Sequence, residues 1–183
     1  MDRGVLAWIA AMAFGLASAG ARSPDLVFIV LDDMLREMMN WTEEGRGRNL
    51  SPHLDRLARE GVVMVHQHIS APVCTPSRYS CLMGRYASRS RAPAFRRLAE
   101  RAGQTIVLWN THILPDDPTL PKLLRAAGYR TGFAGKNHAI AMPPRPFLSL
   151  DADARAPEVA DALRRYGAAV REAIRGAGFD FAG

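Results

Sequence analysis

The chain has 183 residues, 48% hydrophobic and 23% charged, which is enough for one domain with a packed core and excludes a disordered polymer. The formal net charge is +6 and the pI about 10.0, a balance that suits anionic partners. Lys122 and Lys136 are the only lysines, and the arginines are scattered from Arg36 to Arg175 without a dense block, so a nucleic-acid partner is not expected.

The first residues have the form of an export signal. Arg3 precedes an apolar run, Val5–Leu16, and Ala17-Ser18-Ala19 forms a small-residue cleavage site. Residues 1–19 are therefore expected to be a signal peptide, cut after Ala19 or, as second choice, Ala21. The run is shorter than the ~20 residues of a membrane span, and no later segment is apolar enough to make a stable one. The mature chain is expected to be exported to a periplasmic, secreted or lumenal compartment, where disulfides are permitted.

Asp25–Leu31 is a continuous apolar run rich in Val and Ile, the pattern of a strand buried on both faces, and it ends at Asp32-Asp33. Ser51–Gly61 predicts a helix, with Ser51 as N-cap, Pro52 at the first position and Gly61 at the end. Val62–Ile69 reads as a second strand. Thr75–Arg85 predicts a short helix that repeats the cap-then-proline start. Arg89–Pro118 and Ala139–Ala156 read mainly as loops, although "AFRRLAERAG" could hold a helix. Thr119–Gly128 predicts a helix, Tyr129–Gly135 a strand, and Pro157–Gly178 a longer amphipathic helix. Strands alternating with helices imply an α/β fold with a largely parallel sheet, and no linker or repeat divides it.

Two cysteines in an export-competent chain invite a disulfide. Cys74 and Cys81 are seven residues apart, so a helix there separates them by roughly 10 Å along its axis, whereas a bridge needs Cα atoms within about 7 Å. Two cysteines also fall short of the four ligands of a structural zinc site. Cys81 is expected to point into the core.

Three places carry chemistry. Asp32 and Asp33 stand at the carboxyl end of the first strand, where ligands of open α/β sheets bind; two carboxylates there suit Ca²⁺ or Mg²⁺, or else form a solvated turn. Cys74 precedes a helix start whose free N–H groups favour an anion, with Arg78 one turn in; Thr75 is expected to cap. The alternative for a lone cysteine is a small buried hydrophobe. Lys136 and His138 follow a strand and share a face if the segment is extended, placing an oxyanion-binding cation beside a proton carrier; the alternative is a surface loop.

Together these stretches resemble the N-terminal part of a formylglycine-dependent sulfatase, within the alkaline-phosphatase-like superfamily. "PDLVFIVLDDM" is similar to the opening strand and metal-binding Asp pair, and "SPHLDRLAREGVVM" to the helix and strand that follow. "VCTPSRYSCLMGR" is similar to the C-x-P-S-R-x-x-x-L-x-G-R signature, "GYRTGFAGKNH" to G-Y-x-T-x-x-x-G-K-W-H, and "GFDFAG" to a later G-F-D element. The resemblance covers Pro24 to Gly183. It implies a partial alkaline-phosphatase-like fold for residues 24–183, with the C-terminal half missing.

The resemblance also implies roles. Cys74 becomes formylglycine (3-oxoalanine) through a formylglycine-generating or sulfatase-maturating enzyme, with Pro76 and Arg78 completing its recognition signal. One hydroxyl of the hydrated aldehyde attacks the sulfur of a sulfate-ester substrate, and the second then expels the bound sulfate as the aldehyde re-forms. Asp32 and Asp33, together with the residue at 74, bind Ca²⁺ (or Mg²⁺). Arg78 stabilises the formylglycine, Lys136 contacts it and the sulfate, and His138 holds or deprotonates a hydroxyl.

The sequence departs from the family pattern in three respects. Asn137 replaces the usual Trp, Met83 the Thr before Gly-Arg, and the chain stops at Gly183, so a fragment inactive alone is expected. A phosphomonoester or phosphonate hydrolase of the same superfamily, or a non-catalytic truncation product, are the alternatives; Ser77 favours the sulfatase branch.

Overall fold

The computed structural model describes residues 23–149 and 151–183. The expected signal peptide therefore lies outside the described residues. The chain divides into two compact units, Met1–Arg59 and Glu60–Gly183.

In the N-terminal unit the Asp25–Leu31 run forms no strand, correcting the expectation of a buried one. Its side chains are exposed, Val27 at 83%. A strand needs a neighbour to satisfy its backbone N–H and C=O groups, and none pairs with this run among the described residues. A 3₁₀ turn at Arg36–Met38 follows. Buried Thr42 organises the next turn: its hydroxyl lies 2.6 Å from the Arg36 carbonyl and 2.7 Å from that of Met39, and accepts from Gly45 N–H at 3.2 Å. A β-carbon at Gly45 would sit 2.1 Å from the Met39 oxygen, so only glycine fits. Helix α1, Pro52–Glu60, starts where proline at the first position predicts. The Ser51 hydroxyl before it donates to Met38 O at 3.0 Å and to the Asp55 carboxylate at 3.4 Å.

In the second unit Val62–Ile69 is also not a strand, and Val62 is 88% exposed. The cause is the same: no ladder partner is present among the described residues. The helices fare better than the strands because their hydrogen bonds are internal. Helix α2, Cys74–Met83, closes on Gly84 at φ +61°, a conformation in which a side chain would be strained. Tyr79, fully buried, places α2 in the core. A 3₁₀ turn at Ala87–Arg89 leads to α3, Pro93–Ala102, whose Phe95 is buried. Helix α4, Leu120–Ala126, starts on Thr119, whose side chain accepts from Lys122 N–H.

Strand β1 is short, Gly132–Phe133. Helix α5, Pro157–Gly176, returns the chain to β2, Phe181–Ala182. The two strands pair in parallel, Gly132 with Phe181 and Phe133 with Ala182. Thr131 clasps them: its N–H donates to the Asp180 carboxylate at 2.8 Å and its hydroxyl to Gly178 O at 2.8 Å. A second parallel contact joins Ile113 to Ile140. The core gathers Tyr79, Ile113, Ile140, Ile174 and Phe179, and Phe133 meets Phe179 edge-on at 5.3 Å. The α/β expectation is thus met in part, by helices around a two-stranded parallel pair. Among the described residues no helix is long and apolar enough to cross a membrane.

Candidate active site

Helix α2 carries the first group. It begins at Cys74 itself, with Val73 as N-cap and no side-chain cap, so Thr75 is not the cap the sequence suggested. Thr75 and Pro76 are instead buried inside the first turn. Ser77 N–H takes the Val73 carbonyl at 3.1 Å. Pro76 has no N–H, and those of Cys74 and Thr75 precede the helical ladder, so they point at the helix mouth, where anions are favoured.

The helix also separates the two cysteines by role. Residues 74, 78 and 81 fall on one stripe, with Cys81 about 20° from Cys74 around the axis and about 160° from Tyr79. Tyr79 faces the core, so Cys81 faces out: it is exposed and free, which corrects the expectation that it packs inside. Cys74 is free and half-buried.

The second group comes from the loop after β1. The backbone turns at Gly135, φ +95°, and at His138, φ +57°, so the segment is not the extended run in which Lys136 and His138 would share a face. A residue with a β-carbon pays about 1–2 kcal/mol for the left-handed conformation, and Asn137 helps to hold it there. Its side chain donates to Ile140 O at 3.0 Å and accepts from Ala139 and Ile140 N–H at 3.3 and 2.9 Å. The Asn in place of the usual Trp is thus a loop clamp in this chain.

The two groups meet. His138 Nδ1 lies 3.0 Å from Cys74 Sγ. The Arg78 guanidinium donates to the Lys136 carbonyl at 3.0 Å, fastening the loop to the helix one turn below Cys74. Three of the four expected catalytic residues, Cys74, Arg78 and His138, therefore touch the same junction through their side chains, and Lys136 joins it through its backbone. Such a junction can present a nucleophile, a proton acceptor and cationic charge to an anion.

Two features lay outside the sequence reading. His112 is half-buried, and burial pushes its pKa below the ordinary histidine value; a backbone hydrogen bond at Ala139 opposes this, and the nearby charge of His138 adds to it. Nothing in "NTHILPDD" marks this histidine, since the signal is a tertiary one. The other is the fully buried Asp117. It accepts from Arg85 at 3.1 Å, from Arg91 at 3.0 and 2.8 Å and from Leu114 N–H at 2.9 Å. Arg85 also donates to the Tyr79 hydroxyl at 3.2 Å, so this cluster braces α2 from its C-terminal end.

Asp32 and Asp33 lie in the N-terminal unit, exposed, with Asp33 at φ +55°. Carboxylates are the right donors for Ca²⁺ or Mg²⁺, but Ca²⁺ takes about 6–8 oxygens. No cluster of three or more His, Cys, Asp or Glu forms among the described residues. Asp32 and Asp33 by themselves supply fewer donors than Ca²⁺ takes.

Comparison with known proteins places these features in a family. The sulfatase family model matches residues 24–149. The chain is 35% identical to the steryl-sulfatase of Mus musculus over 126 residues, covering 67% of this chain and 19% of that protein. It is 41% identical to the steryl-sulfatase of Rattus norvegicus over 91 residues, 48% of this chain and 15% of that one. Against the arylsulfatase A of Bos taurus it is 30% identical over 142 residues, 77% of this chain and 26% of that one. The chain thus spans about a fifth of the length of the curated steryl-sulfatases it matches. The match contains both the Cys74 helix and the His138 loop, and on it the chain belongs to the sulfatase family.

Proposed function

We propose that this chain carries the nucleophile end of a sulfate-ester hydrolase, residues 24–183 forming the N-terminal part of its catalytic domain. The observation that supports this most is the 3.0 Å contact between Cys74 Sγ and His138 Nδ1, across 64 residues of chain. The helix and the loop also share the core through Tyr79, Ala139 and Ile140, which holds these two atoms within reach of each other.

Cys74 is the residue that a formylglycine-generating or sulfatase-maturating enzyme converts; the hydrated aldehyde then supplies one hydroxyl to attack sulfur and a second to release the sulfate. His138 holds or removes a proton at position 74, from the atom now 3.0 Å from Sγ. Arg78 keeps the loop against the helix, and its charge, with that of Lys136, balances the oxyanion. The mouth of α2 adds its N–H groups to the same anion. Asp32 and Asp33 are the carboxylates this chain offers to a divalent cation, Ca²⁺ or Mg²⁺. Export through a cleaved leader at residues 1–19 belongs to the same proposal, because conversion occurs during export.

The test is mass spectrometry of protein co-expressed with a converting enzyme. Replacement of the thiol by an aldehyde lowers the mass of the Cys74 peptide by about 18 Da, and hydrolysis of an aryl sulfate in preference to an aryl phosphate is expected once the rest of the catalytic domain is supplied. A peptide that keeps its thiol despite a competent converting enzyme removes the nucleophile and, with it, the proposal.

A further inference from the structure

His112 takes part in no step proposed above. We propose that it is a positioning residue, seating the loop that carries His138 so that the His138 ring meets position 74. The inference rests on the sulfatase assignment for its chemistry but not for its geometry.

The geometry begins with the backbone. Ile113 N–H donates to Ala139 O at 2.8 Å and Ala141 N–H to Ile113 O at 3.2 Å, giving the parallel contact between Ile113 and Ile140. This pairing runs residue 112 alongside the turn at 138–139. The flanks are locked, Thr111 and Ile113 being fully buried. His138 itself holds φ +57°, so its loop needs an external support to keep a conformation that the free chain avoids. Asn137 supplies one support from within the loop; the 111–113 segment supplies the other from outside.

The side chain points the same way. His112 Nδ1 is buried and has no hydrogen-bond partner among the described residues. An orphaned buried polar atom costs about 1–3 kcal/mol, and an apolar ring of similar shape avoids that cost. Phenylalanine at 112 removes that cost but also removes the imidazole's hydrogen bond at the Ala139 backbone, so the two effects on stability offset. The hydrogen bond of the imidazole at the Ala139 backbone ties the side chain to the residue next to His138, and the charge of His138 opposes protonation of His112.

Stability and positioning thus predict separable outcomes for His112→Phe. In the full 183-residue chain with its thiol intact, the ¹⁵N shift of His138 Nδ1 at fixed neutral pH reports the bond to position 74, and Cys74→Ala supplies the unbonded reference. His112→Phe is expected to leave the Tm nearly unchanged and to move the His138 signal to the Cys74→Ala value. His112→Gln, which retains a far-end amide, is expected to stay near the unsubstituted signal. In converted protein, kcat on p-nitrophenyl sulfate should fall about tenfold or more in His112→Phe, with KM nearly unchanged. Should His112→Phe not fold, His112→Ala takes its place with the same expected displacement. A His138 signal that neither the Phe nor the Ala variant displaces overturns the proposal. If the parent protein shows no turnover, as expected of a fragment alone, the ¹⁵N comparison by itself decides the positioning role.

Discussion

Arg85 places its guanidinium 3.1 Å from the Asp117 carboxylate, which has no exposure to solvent, across 32 residues of chain. The same arginine lies over the Tyr79 ring, 5.9 Å from its centroid, and bonds its hydroxyl. The last residues of α2 are thereby tied to the turn before α4. Removing the buried carboxylate leaves two arginines that can still reach water, but it also strips Leu114 N–H of its acceptor. Asp117→Ala is expected to cost about 3 kcal/mol, read as a lower urea midpoint. A change under about 0.5 kcal/mol would mean that the cluster is ornamental.

Asp180 gives an acid-sensitive contact. Its carboxyl is held below the ordinary range, first by the Thr131 backbone N–H, then by the Thr131 hydroxyl and the charges of Arg125 and Arg130, against a desolvation cost. A depressed carboxylate contributes stability in full above its unfolded value of about 3.9. That contribution is lost as pH falls through the lower folded value. Thermal melts from neutral pH to pH 2 should therefore show a larger acid loss for the unsubstituted chain than for Asp180→Asn. Parallel curves would dismiss the clasp.

His112 titrates with the opposite proton balance from an ion-paired histidine. Burial favours its neutral form, so the unfolded chain takes up a proton first as pH falls through about 6.5. Stability from this residue is present above that pH and declines below it. His112→Phe should flatten the melting curve between about pH 7 and 5, measured by calorimetry.

Gly178 is fixed by both conformation and space. Its φ is +110°, and a β-carbon would fall 2.6 Å from the backbone nitrogen and Cγ of Lys122. Gly178→Ala should cost at least about 1–3 kcal/mol, and the loss should appear as weaker amide protection at Thr131 and Phe181. An unchanged exchange pattern would show that α4 yields without cost.

Cys81 is the accessible thiol. Maleimide should modify it ahead of half-buried Cys74 in native protein, and Cys81→Ser should change stability by about 0.5 kcal/mol or less. Preferential labelling at Cys74 would contradict the exposure of the stripe.

Helices were legible because their signals are local. Proline at the first turn and glycine after the last marked α1, α2 and α4 within a residue or two. Strands were legible only as apolar runs, and such a run becomes a strand only when a neighbour pairs with it. Asp25–Leu31 and Val62–Ile69 lack that neighbour among the described residues, whereas the Gly132–Phe133 pair has Phe181–Ala182. The motifs were legible, but the meeting of Cys74 with His138 was not. Nothing local announced that His138 adopts a left-handed turn or that its loop pairs with Ile113, nor that Asp117 braces α2 through Arg85. The pairing and the brace are contacts between residues tens of positions apart.

The separation of Cys74 and His138 by 64 residues has a kinetic consequence. Helix α2 can form from its own sequence in about a microsecond, but its partner ring arrives only after a long loop has closed. Loop closure must be paid in entropy before any contact rewards it. The short bond between sulfur and imidazole is therefore a late event, and its appearance in a refolding experiment times the completion of the unit rather than the birth of its helix.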